Sequence, residues 1–449
     1  MINLYYDTLG DDTVPIPNGT KLWEYGVNTK RIPKAVDAHL IVHEYTYFFN
    51  CIKALGSPFQ LFTGKEDCNN LFYPLELNPQ HALKEDEDIL DYIPTKSIKR
   101  ISKGKMKMLL LMPSISSDYR YVWKLRKKID NLTGSGIPRE QIYVVLGDIN
   151  QTYRNLLNTK NVFGIDWNQI YMQIALKARY AMEDFRWVFN NAFAAWPGKE
   201  KLKAEQFDID NWNPKRLYSA FTGKATLHNT CFVSDLKYHG LDNLGKYSYN
   251  IGYENVNHNY KDFRITDRSK GEEFIETKKH FVKNLSKKTI IMDMTFDQKR
   301  HNGNDQYINK SIYEDSLINI VSDNWMPMMD ENYLDETNVL APGKFIWLQI
   351  AKAHPFMVLG CLNTINYITN QGYFSNNFLV NEDYDRVSSI TKTSEMICNN
   401  LKILNELTDN EIRDKMEFIK PYLKKNKEKF FERPNKRKFN LLFEEMKYE

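Results

Sequence analysis

Ser311-Ile-Tyr-Glu-Asp-Ser316, Leu317-Ile-Asn-Ile-Val321 and Ser322-Asp323 lead into a polar loop. Beyond it come Ala341-Pro-Gly-Lys344 and His354-Pro-Phe-Met-Val-Leu-Gly360, and the fold of the second half turns on these segments. The run Leu317–Val321 is short, aliphatic and bounded by polar residues, which predicts a buried strand. Phe356–Leu359, closed by Gly360, predicts a second. Between them Phe345–Ala353 has helical character, with Lys344 near its start. In open parallel sheets ligands gather at the carboxyl ends of strands, and unpaired N–H groups at helix N-termini attract phosphate. Lys344 is therefore a candidate phosphate-binding residue, and Ser322-Asp323 close the strand at that end.

Working outward, the same alternation of strand-like and helix-like segments extends over the whole chain and predicts an α/β class. In the first half, strands are expected at Ile2–Asp7, Ala38–Glu44, Met106–Met112 and Ile142–Leu146. Tyr119–Leu132 predicts an amphipathic helix with Lys124, Arg126, Lys127 and Lys128 on its wet side, and helical patterns dominate from Gln151 to Phe193. Pro197-Gly198, a charged run and Asn211-Trp-Asn-Pro214 interrupt the pattern. The second half restarts with strands at Leu217–Phe221, Gly245–Asn250 and Thr289–Met292 before the two described above, and is helical after Asp385. The expected domains are 1–205, 206–395 and a helical tail, 396–449, that packs back on the first. The expected architecture is two Rossmann-like domains facing across a cleft.

At 449 residues the chain exceeds what one hydrophobic core usually serves. An apolar content of 42% excludes a disordered protein. No apolar run approaches the roughly 18–20 residues that span a bilayer, and the N-terminus lacks the basic and apolar regions of a signal peptide. The cytoplasm is the expected compartment, with no membrane partner. Five scattered cysteines, none in a Cys-x-x-Cys pair, argue against a disulfide framework or a structural zinc. A net charge of +4 is too small to define a dedicated duplex-binding domain.

Phe221-Thr-Gly-Lys-Ala-Thr-Leu-His228 is a second candidate phosphate turn. Thr226 suits an N-cap, and Lys224 beside unpaired helix amides would hold a diphosphate; an ordinary capped helix with an exposed lysine reads the same residues equally well.

Asn319-Ile-Val-Ser-Asp323 and Ala351-Lys-Ala-His-Pro-Phe-Met-Val-Leu-Gly360 resemble the C-terminal signature of phage and viral glycosyltransferases distantly similar to fucosyltransferases. That signature runs Asn-Ile-Val-Ser-Glu, then Thr-Glu-Lys, then Ala-x-x-x-Pro-Phe-x-x-x-Gly. Pro342-Gly343-Lys344 stands at the Thr-Glu-Lys position, so the lysine is retained and the glutamate is absent. His228 aligns with the histidine of the family's first donor-domain turn, Lys224 stands near one arginine, and Asn229 replaces the last. Glu382-Asp-Tyr-Asp385 fits the family's acidic Glu-x-Tyr-Asp, which places Glu382 and Asp385 near the donor sugar, while a helix N-terminus rich in acids accounts for the same residues equally well. The resemblance implies a GT-B glycosyltransferase with its acceptor on the N-terminal domain and a nucleotide-sugar donor, UDP-linked, on the second. Ser322, Asp323, Lys224, Thr226, His228, Lys344 and Glu382 are then donor contacts. His354 occupies a position that varies in the family, and a packed or surface histidine, not a catalytic one, is expected there.

Such an enzyme needs a base to take the acceptor proton. Glu44 and Asp118, each following an expected strand, are the leading candidates, with His43 and Asp148 behind them. The Asp-x-Asp or equivalent acidic triplets at 86–88, 208–210 and 383–385 do not end buried strands, so no tightly bound metal is expected. The wealth of Asn, Lys, Asp and Tyr suits an AT-rich genome such as a bacteriophage's, and relatives of this kind decorate phage DNA. Double-stranded DNA carrying hydroxymethylcytosine is therefore the expected acceptor. Lysine-rich 96–107 and 424–438 would contact its phosphates, although such runs are commonly solvated helix faces. A glycan or protein acceptor, and a non-catalytic binding protein of the same fold, remain as alternatives.

Overall fold

The computed structural model describes residues 2–5, 20–21, 59–62, 71–76, 88–93, 95–112, 119–146, 157–164, 166, 169–170, 172–173, 207–221, 227–247, 249, 314–322, 342–360, 362–387 and 389–432. The chain divides into two compact units, Met1–Glu200 with Arg433–Glu449, and Lys201–Glu432.

The first unit holds a seven-stranded sheet of order β2-β3-β1-β4-β5-β6-β7. Its strands are β1 (Ile2–Tyr5), β2 (Thr20–Lys21), β3 (Phe59–Phe62), β4 (Leu71–Glu76), β5 (Lys107–Met112), β6 (Ile142–Leu146) and β7 (Val162–Gly164). Only β2 runs antiparallel to its neighbour; every other pairing is parallel. Unbroken aliphatic runs such as Met108–Met112 and Val144–Leu146 lie fully buried, as strands covered on both faces must be.

β1 forms where the first strand is expected and lies between β3 and β4. Other expectations change. β7 forms within the stretch expected to be helical, because Val162 and Phe163 continue the buried sheet beside Val144 and Val145. β3 and β4 have no counterpart among the expected strands, and Ala38–Glu44 lies outside the described residues. Helix α1 spans Thr95–Ser102 and α2 spans Tyr119–Gly134. Lys128, expected on the wet side of α2, is 5% exposed. Leu125, Lys128, Ile129 and Leu132 follow i, i+3, i+4, i+7 spacing, so the lysine shares the buried stripe.

The second unit holds a wholly parallel sheet, β11-β10-β8-β9, made of β8 (Arg216–Phe221), β9 (Gly245–Tyr247), β10 (Ser316–Ser322) and β11 (Phe356–Leu359). The chain builds β9 on one side of β8 and then crosses to place β10 and β11 on the other. The topological switch point therefore lies between β8 and β10. Helices follow in order: α3 (Leu227–Tyr238), α4 (Lys344–Lys352), α5 (Thr364–Asn370), α6 (Ile390–Glu406) and α7 (Asp409–Phe431). α6 packs on α3, and α7 packs on α4. Residues 396–432 thus belong to the second unit, where the sequence had suggested a tail returning to the first; only 433–449 group with the first unit. The physical cause is the apolar stripe Met416, Ile419, Leu423 and Phe430 of α7, which is buried in the second unit.

β10 is the centre of that core. Ile320 is 0% exposed and stands beside Ala220 of β8 and Met357 of β11. Ile320→Ala is expected to lower stability by about 2–5 kcal/mol, the range for emptying a large aliphatic site in a packed interior. Urea unfolding followed by tryptophan fluorescence checks this.

Candidate functional site

Three strand ends meet on one side of the second sheet. The parallel register pairs Val321 with Phe221 and Val358, so β8, β10 and β11 terminate together. A helix joining two parallel strands runs back against them, so α3 and α4 both begin at that end. His228, in the first turn of α3, places Nε2 3.0 Å from Ser322 Oγ at the tip of β10. This hydrogen bond spans the switch point. It joins the two segments that the sequence marks as candidate phosphate-binding turns. α4 starts at Lys344, and its N-cap is Gly343, which offers no side chain to cap the first amides.

Beneath this end a polar network fixes β10. Ser316 Oγ donates to Asn319 Oδ1 at 2.9 Å, and Asn319 Nδ2 donates to Gln349 Oε1 of α4 at 2.8 Å. All three residues are fully buried, so each bond is stronger than it would be in water. His354 is the packed histidine that the sequence suggests. It is 0% exposed, its ring nitrogens lie 2.8 Å from Pro355 O and 3.1 Å from Ser316 O, and Phe207 and Trp212 pack against it.

Glu382 lies in a different place, beside the outer edge of β11. An edge strand leaves backbone groups unpaired, and the segment 375–386 covers them. Tyr384 OH accepts from Val358 N at 3.3 Å, and Asn376 Nδ2 donates to Phe356 O at 2.9 Å. Glu382 holds this cover, accepting from Asn376 N at 2.7 Å. Asp385 Oδ2 accepts from Ile365 N at 2.9 Å and Asn366 N at 3.3 Å, which caps α5. A pocket of about 670 Å³ opens here, lined by both carboxylates, Asn366, Phe378, Ile403 and Lys415. Neither His228 nor Ser322 lines it.

Burial pushes the Asp385 carboxyl up to about 8, against the opposing pull of the Asn366 and Ile365 amides. Burial also raises Glu382, opposed by its bond from Asn376. Among the described residues Asp385 Oδ1 has no hydrogen-bonding partner.

Of the other sequence candidates, Glu44, Asp118, Lys224, Thr226 and Asp323 lie outside the described residues, as do His43 and Asp148. Asp208 and Asp210 serve local structure: Asp208 accepts from Asp210 N and Asn211 Nδ2, and Asp210 pairs with Lys424. Sequence reasoning missed the capping role of Asp385, because its helix lies twenty residues earlier in the chain and no local pattern announces it.

Comparison with family models, with curated proteins and with solved structures returned no match.

Asp385 should make stability depend on pH. The folded carboxyl titrates near 8 and the unfolded one near 4, about the value of a free aspartate. Between those limits the folded chain keeps a proton that the unfolded chain has released, so stability falls as pH rises through the interval. Asp385→Asn keeps an oxygen acceptor for the α5 amides and should flatten that decline, read as urea midpoint against pH.

Proposed function

We propose that this chain is a glycosyltransferase of the GT-B type, which moves a sugar from a nucleotide-diphosphate donor, UDP-linked, to hydroxymethylated cytosine in phage DNA. The observation that carries this is the His228–Ser322 hydrogen bond across the switch point of a parallel sheet. Two segments that resemble the donor site of one glycosyltransferase family, 94 residues apart, meet at the end of the sheet where phosphate-bearing ligands bind. In this reading the donor diphosphate lies along the first turns of α3 and α4. Lys344, Lys224 and the backbone amides of those first turns offset its charge. Thr226, Ser322 and Asp323 complete the cradle, and the pocket bearing Glu382 accommodates more distal parts of a ligand.

The chemistry follows from those roles. The acceptor hydroxyl oxygen attacks the anomeric carbon while the bond from that carbon to the diphosphate oxygen breaks. The hydroxyl proton passes to a base on the first unit, Glu44 or Asp118, and the diphosphate departs with the electron pair. Stabilising that departing charge is the step a lysine and aligned amides serve best.

Incubation of the protein with a panel of nucleotide sugars and hydroxymethylcytosine DNA, followed by mass spectrometry of the nucleosides, tests the proposal. A mass increase of one sugar on the modified cytosine is expected, together with release of the nucleoside diphosphate. Transfer to a glycan instead would move the acceptor to the fucosyltransferase-like alternative, and no transfer from any donor would refute the proposal. Lys344→Ala is expected to lower turnover by about two orders of magnitude, the scale of losing one charge contact to a transition state.

A further inference from the structure

The outer face of α7, together with Phe374 and Phe378 that pack against it, carries exposed aromatic rings beside lysines. Phe374, Phe378 and Phe418 are 43%, 48% and 49% exposed, unusual for residues that could bury 150 Å² or more each. They form one cluster with Tyr422: ring centroids lie 4.9 Å apart for Phe374–Tyr422, 4.8 Å for Phe378–Phe418 and 5.7 Å for Phe418–Tyr422. Lys415 Nζ bonds to Phe378 O, Lys425 Nζ sits 5.9 Å from the Phe374 ring, and Lys429 Nζ sits 5.3 Å from the Tyr373 ring. An ammonium has three donors, so the lysines that spend one on a carbonyl keep others. From Lys415 to Lys429 the stripe runs about 21 Å along the helix.

Charge selects the occupant. From Phe418 to Phe431, α7 carries Lys420, Lys424, Lys425, Lys427 and Lys429 against the single acid Glu428. Its other acids, Asp409, Glu411, Asp414 and Glu417, are confined to the opposite end. A purely apolar partner would leave these ammoniums desolvated, whereas a chain of phosphates with flat bases meets both features at their spacing. Beside Phe378 and Lys415 opens the pocket described above, lined by Asn366, Asn377 and Asn381, whose amides match the mixed donor and acceptor edges of a base.

We propose that this stripe is a docking surface for single-stranded nucleic acid, with bases on the rings and phosphates on Lys415, Lys425 and Lys429. Duplex bases are already stacked and would not reach the rings. The length fits the low end of the roughly 4–16 nucleotides seen for such surfaces. This inference stands on the surface alone and is independent of any transferase activity.

The test uses the full chain, no sugar donor, and a fluorescein-labelled twelve-nucleotide oligothymidine read by anisotropy at several salt concentrations. Binding is expected at low salt. Phe378→Ser with Phe418→Ser should weaken it at least about 5-fold per ring with the salt slope unchanged. The triple change Lys415→Ala, Lys425→Ala, Lys429→Ala should lower the log–log salt slope by about 2, at roughly 0.7 per phosphate contact. Circular dichroism melts confirm that each variant folds. No binding, binding indifferent to both sets of changes, or self-association of the chain that the ring changes abolish without affecting the oligonucleotide would each overturn the proposal.

Discussion

Parallel hydrogen bonding between β8, β10 and β11 is the constraint on which the second unit rests. Parallel strands cannot be joined by tight turns, so each must be followed by a crossover that returns the chain to the same starting edge. The carboxyl ends of the strands and the starts of α3 and α4 are thereby gathered on one side of the sheet. Since β9 and β10 lie on opposite sides of β8, the crossovers diverge and leave a gap above β8 and β10. His228 and Ser322 face each other across that gap because of connectivity, with no help from sequence proximity.

The same sheet creates a second requirement at its margin. β11 is an edge strand, and its Val358 amide and Phe356 carbonyl would otherwise need water inside a packed region. Tyr384 and Asn376 satisfy them, and Glu382 and Asp385 hold the covering segment in place. Asp385 is thus buried, and Glu382 half-buried, as a consequence of closing an edge. Their raised proton affinity is the electrostatic result of that burial. The pocket beside them and the exposed rings of α7 are neighbours, since Phe378 and Lys415 belong to both.

Composition and periodicity made much of this legible. Continuous aliphatic runs at Met108–Met112, Leu317–Val321 and Phe356–Leu359 can only be strands covered on both faces, and they are. The helices at Leu227–Tyr238 and Lys344–Lys352 begin within a residue or two of where the local pattern puts them. Thr408 and Glu411 form a capping box whose spacing is written in the sequence. Lys128 was misjudged because a long side chain can lie along a buried stripe that its charge would seem to forbid. β7 was missed because three residues are too few to establish a period.

What the sequence by itself determined is the α/β class, the strands β1, β5, β6, β8, β10 and β11, and the residue types available at their ends. These depend on local hydrophobic patterning, which each segment carries alone. Tertiary structure decided the strand order, the pairing of His228 with Ser322, the capping of α5 by a carboxylate twenty residues downstream, and the packing of α6 and α7 on the second unit. Each of these joins residues distant along the chain. Their energies arise only when desolvation and hydrogen bonding act between segments already brought together.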